Sequence, residues 1–245
     1  MTISHASMVD YYKKRALEYE RIYHKPERQP DLRQLEAIVT RAFPDLDVLE
    51  IACGTGYWTQ FASRSARTIA ATDYSGEVLA IAVQKGYGNC DVRFIRTDAY
   101  ELKDVGGSFS AGLVGFWWSH VPQKKLPDFI QIFHSKLEPG APVLVIDNCF
   151  VEGSSTPISR SDDEGNSYQI RTLADGSQHE VLKNFPSEAE FAKKIHGYGK
   201  GLHFRILDYF WLARYQVEKT LNAGYASKNN NSLQSFPVSE PTGND

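Results

Sequence analysis

The stretch Val48-Leu-Glu-Ile-Ala-Cys-Gly-Thr-Gly56 constrains this chain more than any other. Val48, Leu49 and Ile51 make a short apolar run, the pattern of a parallel strand buried on both faces. Gly54 and Gly56 then mark a tight turn, and Tyr57-Trp-Thr-Gln-Phe-Ala-Ser reads as the start of a helix. A strand, a glycine turn and a helix start together form a crevice. Glycine lets a ligand approach the main chain, and the first helical turn offers N–H groups that no carbonyl has claimed.

The residues around the turn narrow the chemistry. A dinucleotide fingerprint needs a third glycine, and Thr59 occupies that place. Glu50 puts a carboxylate in the glycine approach. It repels a pyrophosphate and suits a ligand carrying an amino group and a sulfonium. Asp73 follows a second apolar run, Thr68-Ile-Ala-Ala-Thr72, where an acid can accept hydrogen bonds from two ribose hydroxyls. Asp98 follows a third run, Val92-Arg-Phe-Ile-Arg-Thr97.

Three acids ending three successive strands resemble the class I S-adenosylmethionine (SAM) methyltransferase family. The matching residues are Glu50-Ile-Ala-Cys-Gly-Thr-Gly56, Ala71-Thr-Asp-Tyr-Ser75 and Arg96-Thr-Asp-Ala99. Phe116-Trp-Trp-Ser-His-Val-Pro122 matches the stretch after the family's fourth strand, and Leu137–Asp147 its next turn and fifth strand. The resemblance covers residues 35–150 closely and the C-terminal third more loosely. One departure is Ala52, where the family usually has its first glycine; the expected result is a slightly less open turn.

The resemblance implies a doubly wound, Rossmann-like α/β fold. Its sheet would be mostly parallel and seven-stranded, with helices on both faces. It also implies S-adenosyl-L-methionine as cofactor and S-adenosyl-L-homocysteine (SAH) as product. Ala52, Gly54 and Gly56 would approach the methionine part and Glu50 would serve its amino group. Asp73 would hold the ribose and Tyr74 would pack on the adenine. Asp98 and Ala99 would contact the adenine amine. Structural alternatives remain: Glu50 as partner of a helix, Tyr74 simply buried, and Asp98 as a helix cap. Phe116, Trp117, Trp118 and His120 fall where the fourth strand opens toward the transferred methyl. Aromatics there exclude water and hold a flat or cationic substrate, unless a tryptophan belongs to the core. His120 is the candidate general base, since imidazole titrates near neutral pH; a structural role for it is the alternative.

Residues 8–43 read as two helices. Tyr12, Ala16, Tyr19 and Tyr23 recur at helical spacing and form a stripe. The stripe is either core packing or, as the resemblance of Tyr11-Tyr-Lys-Lys-Arg-Ala-Leu-Glu-Tyr19 implies, a lid. In the lid reading Tyr12 and Tyr19 touch the cofactor and Tyr11 the substrate. His24–Pro30, with two prolines, reads as a break, and Asp31 as the N-cap of a helix over 32–43. From Val48 to Asp147 strands alternate with helices. Residues 152–166 are polar and loop-like. Two strand-like runs, Tyr168–Leu173 and His179–Lys183, flank Ala174-Asp-Gly-Ser177 and predict a β-hairpin. An insertion at 150–185 would sit over the strand C-terminal ends and cover the substrate, with Asn148, Arg160, Tyr168 and Arg171 as contacts; an ordinary solvated hairpin face is the alternative. Ser187 and Glu190 predict a capping box. The stretch 203–217 supplies two last strands. The reading is one domain over 1–223, with 224–245 a disordered tail by composition.

Composition limits the function. At 245 residues and 42% hydrophobic the chain can bury a large core, and a net charge of −3 without long Lys/Arg runs argues against a nucleic-acid surface. Three cysteines, an odd count without metal-ligand spacing, fit a reducing cytoplasm. No signal peptide or membrane span is expected. The expected activity is methyl transfer to an O or N nucleophile of a small molecule. Rivals are a methyltransferase acting on RNA or protein, a non-catalytic binding module, and an NAD-dependent oxidoreductase. Phe116-Trp-Trp-Ser, in place of an Asn/Asp-Pro-Pro-Tyr/Phe motif, disfavours amino methylation of nucleic acid. The full acid set disfavours the binding module. Thr59 and Glu50 disfavour the oxidoreductase.

Overall fold

The computed structural model describes Glu20 and residues 23–218. The expectations for Tyr11, Tyr12, Tyr19 and the tail at 224–245 lie outside the described residues.

The predicted alternation appears as β1 (Asp47–Ile51), α2 (Tyr57–Ala62), β2 (Thr68–Asp73), α3 (Gly76–Ala82), β3 (Asp91–Arg96), β4 (Ala111–Gly115), α4 (Leu126–Ser135) and β5 (Pro142–Asn148), preceded by α1 (Gln29–Arg41). After β5 come β6 (Ile158–Ser161), β7 (Ser167–Thr172), β8 (Gln178–Leu182), α5 (Glu188–Ile195), β9 (Gly199–Ile206) and β10 (Phe210–Val217). The main sheet has seven strands in the order β3-β2-β1-β4-β5-β10-β9. β1 to β5 pair in parallel, while β10 is antiparallel to both β5 and β9.

Successive strand residues point to opposite faces, so each strand feeds two cores. Leu49 and Ile51 join Val143 and Val145 under Phe129, Phe133 and Phe191. Val48 joins Leu144 and Ile146 under Leu35, Val39 and Trp58. The order reverses between β1 and β4, and the crevice at such a point, beyond the strand C-terminal ends, is where ligands bind in this architecture.

Three local expectations change. The helix predicted to start after Asp31 begins at Gln29 and includes Pro30, because proline fits a first helical turn where its missing N–H is not needed. Asp31 caps no helix; its Oδ2 accepts from Tyr209 N at 2.8 Å and docks α1 on the β9–β10 turn. The predicted hairpin over Asp175-Gly176 is present as β7 and β8, but β6 adds a third antiparallel strand where a loop was expected. β6 is mostly exposed, so it lacks the apolar alternation that marks a half-buried strand. The capping box at Ser187 and Glu190 forms as predicted.

Gly112, in the middle of β4, lets α4 approach the sheet. A Cβ there would lie 2.5 Å from Phe133 Cζ and 3.0 Å from Leu137 Cδ1. Gly112→Ala should lower unfolding free energy by about 1–3 kcal/mol, because a fully buried ring has no room to retreat. Urea unfolding at matched pH measures it; wild-type stability would mean that the sheet–helix spacing is soft.

Candidate functional site

The crevice is built by the turn after β1. Ala52, Gly54 and Gly56 all have left-handed backbone, with φ of 53°, 56° and 77°. Gly56 is needed for space as well as for φ, since a Cβ would lie 2.4 Å from the Tyr87 hydroxyl. Ala52 departs from expectation: its effect is backbone strain, on the order of 1 kcal/mol, not a narrower turn. Cys53 N donates to Thr72 O at 2.8 Å, which ties the turn to β2.

Asp73 joins two turns. Its Oδ2 accepts from Gly54 N and its Oδ1 from Ser75 N, both at 2.9 Å. Burial pushes its carboxyl up to about 6, against these backbone hydrogen bonds. Glu50 is buried at the end of β1, and its Oε2 accepts from the Thr59 hydroxyl at 2.7 Å. Burial raises the Glu50 carboxyl to about 7; the Thr59 hydrogen bond opposes the rise and the charge of Asp73 adds to it. Thr59, which breaks the glycine fingerprint, thus has a positive role that spacing alone did not reveal. Across the turn, Glu20 accepts from Thr55 Oγ1 at 2.7 Å and pairs with Lys85. Burial works to raise the Glu20 carboxyl, but the hydrogen bonds from Lys85 and Thr55 prevail and lower it.

Asp98 is half-buried, and its Oδ1 accepts from Tyr100 N at 2.8 Å in a local turn. Ala99 packs beside the core. Tyr74 is 44% exposed, so plain burial is not its role.

On the opposite side of the crevice, Phe116 has φ 56° and its ring stacks on Phe210, with centroids 5.6 Å apart. Trp117 is half-buried and faces Tyr100. Trp118 is a core residue, 4.5 Å from Phe191 by ring centroid, which corrects its expected contact with substrate. His120 is buried, with Nδ1 2.7 Å from Leu182 O. A carbonyl only accepts, so Nδ1 carries a proton in this contact.

The insertion is fastened to the strand ends by a buried network missed in the sequence. Lys183 Nζ donates to Asp147 Oδ1 at 2.8 Å and to Ser119 Oγ at 2.6 Å; Asp147 Oδ2 accepts from Ser119 N at 2.9 Å. Asn148 is half-buried beside this network. Arg160 and Tyr168 do not converge on the crevice residues by their recorded contacts. Arg160 makes two hydrogen bonds to Glu180 and lies over the Tyr168 ring, while the Tyr168 hydroxyl donates to Asp162 at 2.7 Å. These partners give both residues a role within the insertion, the alternative reading of a hairpin face. Arg171 donates to Gln169 Oε1 at 2.9 Å.

Doubly wound strands, a left-handed glycine turn and acids closing the first two βα turns define a nucleotide-binding α/β protein. The donor set refines this. Among the described residues neither Glu50 nor Asp73 takes a Lys or Arg as a hydrogen-bond partner, so the pair suits a ligand carrying a sulfonium and an ammonium. Residues 48–140 match the family model described as a methyltransferase domain. The structure is similar to that of DhpI solved in complex with SAH: 28% identity over 88% of this chain and 99% of that chain, TM-score 0.68. A DhpI-SAM-HEP complex is equally similar, with 28% identity, 87% and 99% coverage and TM-score 0.68. A SAM-dependent methyltransferase from Clostridium acetobutylicum ATCC 824 shares the fold at 16% identity, 85% and 99% coverage and TM-score 0.60. No curated protein sequence matches the chain. Residues 48–140 thus carry a methyltransferase domain, and with the likeness to the DhpI complexes they support a SAM-dependent methyltransferase: an enzyme whose cofactor is SAM.

The raised carboxyls have a consequence for stability. An acid whose folded pKa lies above its unfolded value contributes stability at low pH and loses it as pH rises through the folded value. Without ligand, stability should therefore fall between about pH 4.5 and pH 7 as Glu50 ionises. Glu50→Gln keeps an acceptor for Thr59 and removes the charge. It should be more stable than wild type at pH 8, by on the order of 1–3 kcal/mol, and nearly equal to it at pH 4.5. Urea titrations at the two pH values test this; an unchanged gap between the proteins would show that Glu50 is ionised at no cost.

Proposed function

We propose that this methyltransferase moves the methyl group of SAM to an oxygen or nitrogen of a small-molecule metabolite. One observation carries the reading. The three-stranded insertion is pinned over the strand ends by Lys183–Asp147 and by His120–Leu182, and this favours a covered acceptor site over an open track for a polymer. The magnesium protoporphyrin IX methyltransferase of Synechocystis PCC 6803 has a related fold at 16% identity, 89% and 99% coverage and TM-score 0.58. This fold therefore accommodates an acceptor of that kind. Three free cysteines agree with a reducing cytoplasm. Among the described residues no helix is long and apolar enough to cross a membrane. In this reading residues 1–223 form one domain, and 150–185 is its substrate cover.

SAM supplies an activated methyl for in-line displacement. The chain's own residues bind, orient and keep water out. Asp73 holds the ribose hydroxyls, Glu50 faces the donor's ammonium, and Asp98 and Ala99 take the adenine edge. Ala52, Gly54 and Gly56 give main-chain access, and Phe116 and Trp117 wall the transfer path. His120 Nε2 takes the proton of a hydroxyl acceptor, with the ring held by Leu182 O. A neutral amine acceptor needs no such step.

Calorimetric titration with SAM and SAH tests the binding roles. Asp73→Ala should weaken both ligands tenfold or more with the fold retained, and unchanged affinity would remove the ribose role. SAM affinity should also rise from pH 5 to pH 8 as Asp73 and Glu50 ionise near 6 and 7, since the donor is cationic. A flat profile would count against contact with the charged end of SAM.

With an O acceptor found by screening phenols, acids and alcohols, His120→Ala should slow turnover by roughly a hundredfold while SAM affinity holds. An unchanged rate would leave His120 a structural role. Turnover on RNA or protein, and none on small molecules, would replace the substrate class itself.

A further inference from the structure

The face of the sheet that carries α1 is not fully covered. α1 packs over the middle strands through Leu32, Leu35 and Val39, and the β9–β10 pair extends the sheet past it. A groove of about 740 Å³ runs along this step, between the C-terminal half of α1 and the strands β5, β10 and β9. Phe43, Leu144 and Leu212 are part of its floor. Arg41 from α1, His203 and Arg205 from β9, and Arg214 from β10 stand around it.

We propose that this groove is a second ligand site, separate from the SAM crevice, for a small anionic molecule with an apolar body. Its charge is one-sided: three arginines and a histidine line it, and no Asp or Glu does. None of the three arginines takes part in an ion pair among the described residues. Arg205 donates to the neutral Gln34 side chain at 2.8 Å, which orients the guanidinium without neutralising it. The chain as a whole carries a net charge of −3, so this concentration of cations runs against its overall balance. Guanidinium groups gathered on one rim repel one another, and an anion placed among them relieves that repulsion. Arginine also matches carboxylate, phosphate and sulfonate with paired N–H donors.

The apolar floor sets the other half of the ligand. A bare inorganic anion would leave the half-buried Ile38, Ala42 and Pro142 facing water, while an alkyl or aromatic body covers them. The volume lies within the range of small-molecule sites, roughly 300–1,000 Å³. The groove meets β5 at Pro142–Leu144, the beginning of that strand, whereas the crevice lies past its end at Asp147 and Asn148. The two sites therefore occupy opposite ends of one strand, and SAM does not compete for the groove. α1 connects them: Glu36 accepts from the crevice residue Tyr57 at 2.6 Å, and Arg41 stands on the groove.

The test uses the full chain, saturated with SAH so that the crevice is filled. Calorimetry compares decanoate, decanol and decyltrimethylammonium, which share an alkyl body and differ in charge. Decanoate should bind saturably at one site, decanol at least tenfold more weakly, and the cation not at all. The variant Arg41→Glu/Arg214→Glu changes two exposed residues. It should weaken decanoate at least tenfold with SAH affinity unchanged, and that retained affinity reports that the variant is folded. Arg214→Gln alone provides a milder change, with a several-fold loss expected. Failure of decanoate to bind, equal binding of all three compounds, or loss of decanoate binding on SAH addition would each overturn the proposal. So would a dimer, seen by sedimentation, that the double variant dissociates, since a second copy would then cover the groove.

Discussion

Two neighbouring carboxylates, Glu50 buried and Asp73 half-buried, are the constraint on which the crevice depends. Asp73 is held by the N–H groups of Gly54 and Ser75, so it fixes the turns after β1 and β2 in one piece. Glu50, next to it, is fixed by Thr59 on the following helix. Each arrangement is local and satisfied, yet together they place two acids close to one another without a basic hydrogen-bond partner among the described residues. Desolvation raises both toward neutrality, and the charge of Asp73 adds to the rise at Glu50. A positively charged ligand reverses that balance, since it stabilises the ionised forms that the empty protein resists.

The turn itself stores strain in the same place. Ala52 and Phe116 are non-glycine residues with positive φ, one after β1 and the other after β4. These are adjacent strands in the sheet. Each position re-aims the chain as it leaves the strand, and each is held from outside: Cys53 N by β2, and Phe116 N by Ile146 O of β5. Residues in such conformations persist only where their surroundings over-determine them; these two flank the strand ends at the crevice, while Asp45 and Leu102 share the conformation elsewhere.

The parts legible in the sequence were those whose signal is local. The strand–glycine–helix stretch, the order of Glu50, Asp73 and Asp98, the Ser187–Glu190 cap and the Asp175-Gly176 hairpin each depend on neighbours within a few residues. What could not be read depends on partners far along the chain. Thr59 is an ordinary helix residue until β1 places Glu50 beside it. Asp31 has the right chemistry for a cap, but Tyr209 N claims it. Trp118 sits beside Trp117 in sequence, yet only the packing of α5 decides that Trp118 belongs to the core. β6 has no apolar alternation because it is an exposed edge, recognisable only by its pairing with β7. Arg160 looked available because its partner, Glu180, is brought to it by the same small sheet.

The Lys183–Asp147 pair is the largest of these long-range effects. Both side chains are almost wholly buried, and such a pair adds little net stability after its desolvation cost. Removing one partner would nonetheless strand a charge in the interior at about 3–5 kcal/mol. The pair is therefore better understood through what it positions than through what it stabilises. It joins the end of β8 to the end of β5 and, through Ser119, to the turn that carries His120. Leu182, one residue before Lys183, supplies the carbonyl that accepts from His120 Nδ1. The insertion is therefore tied to the His120 ring, so a change in the insertion also bears on where that ring sits.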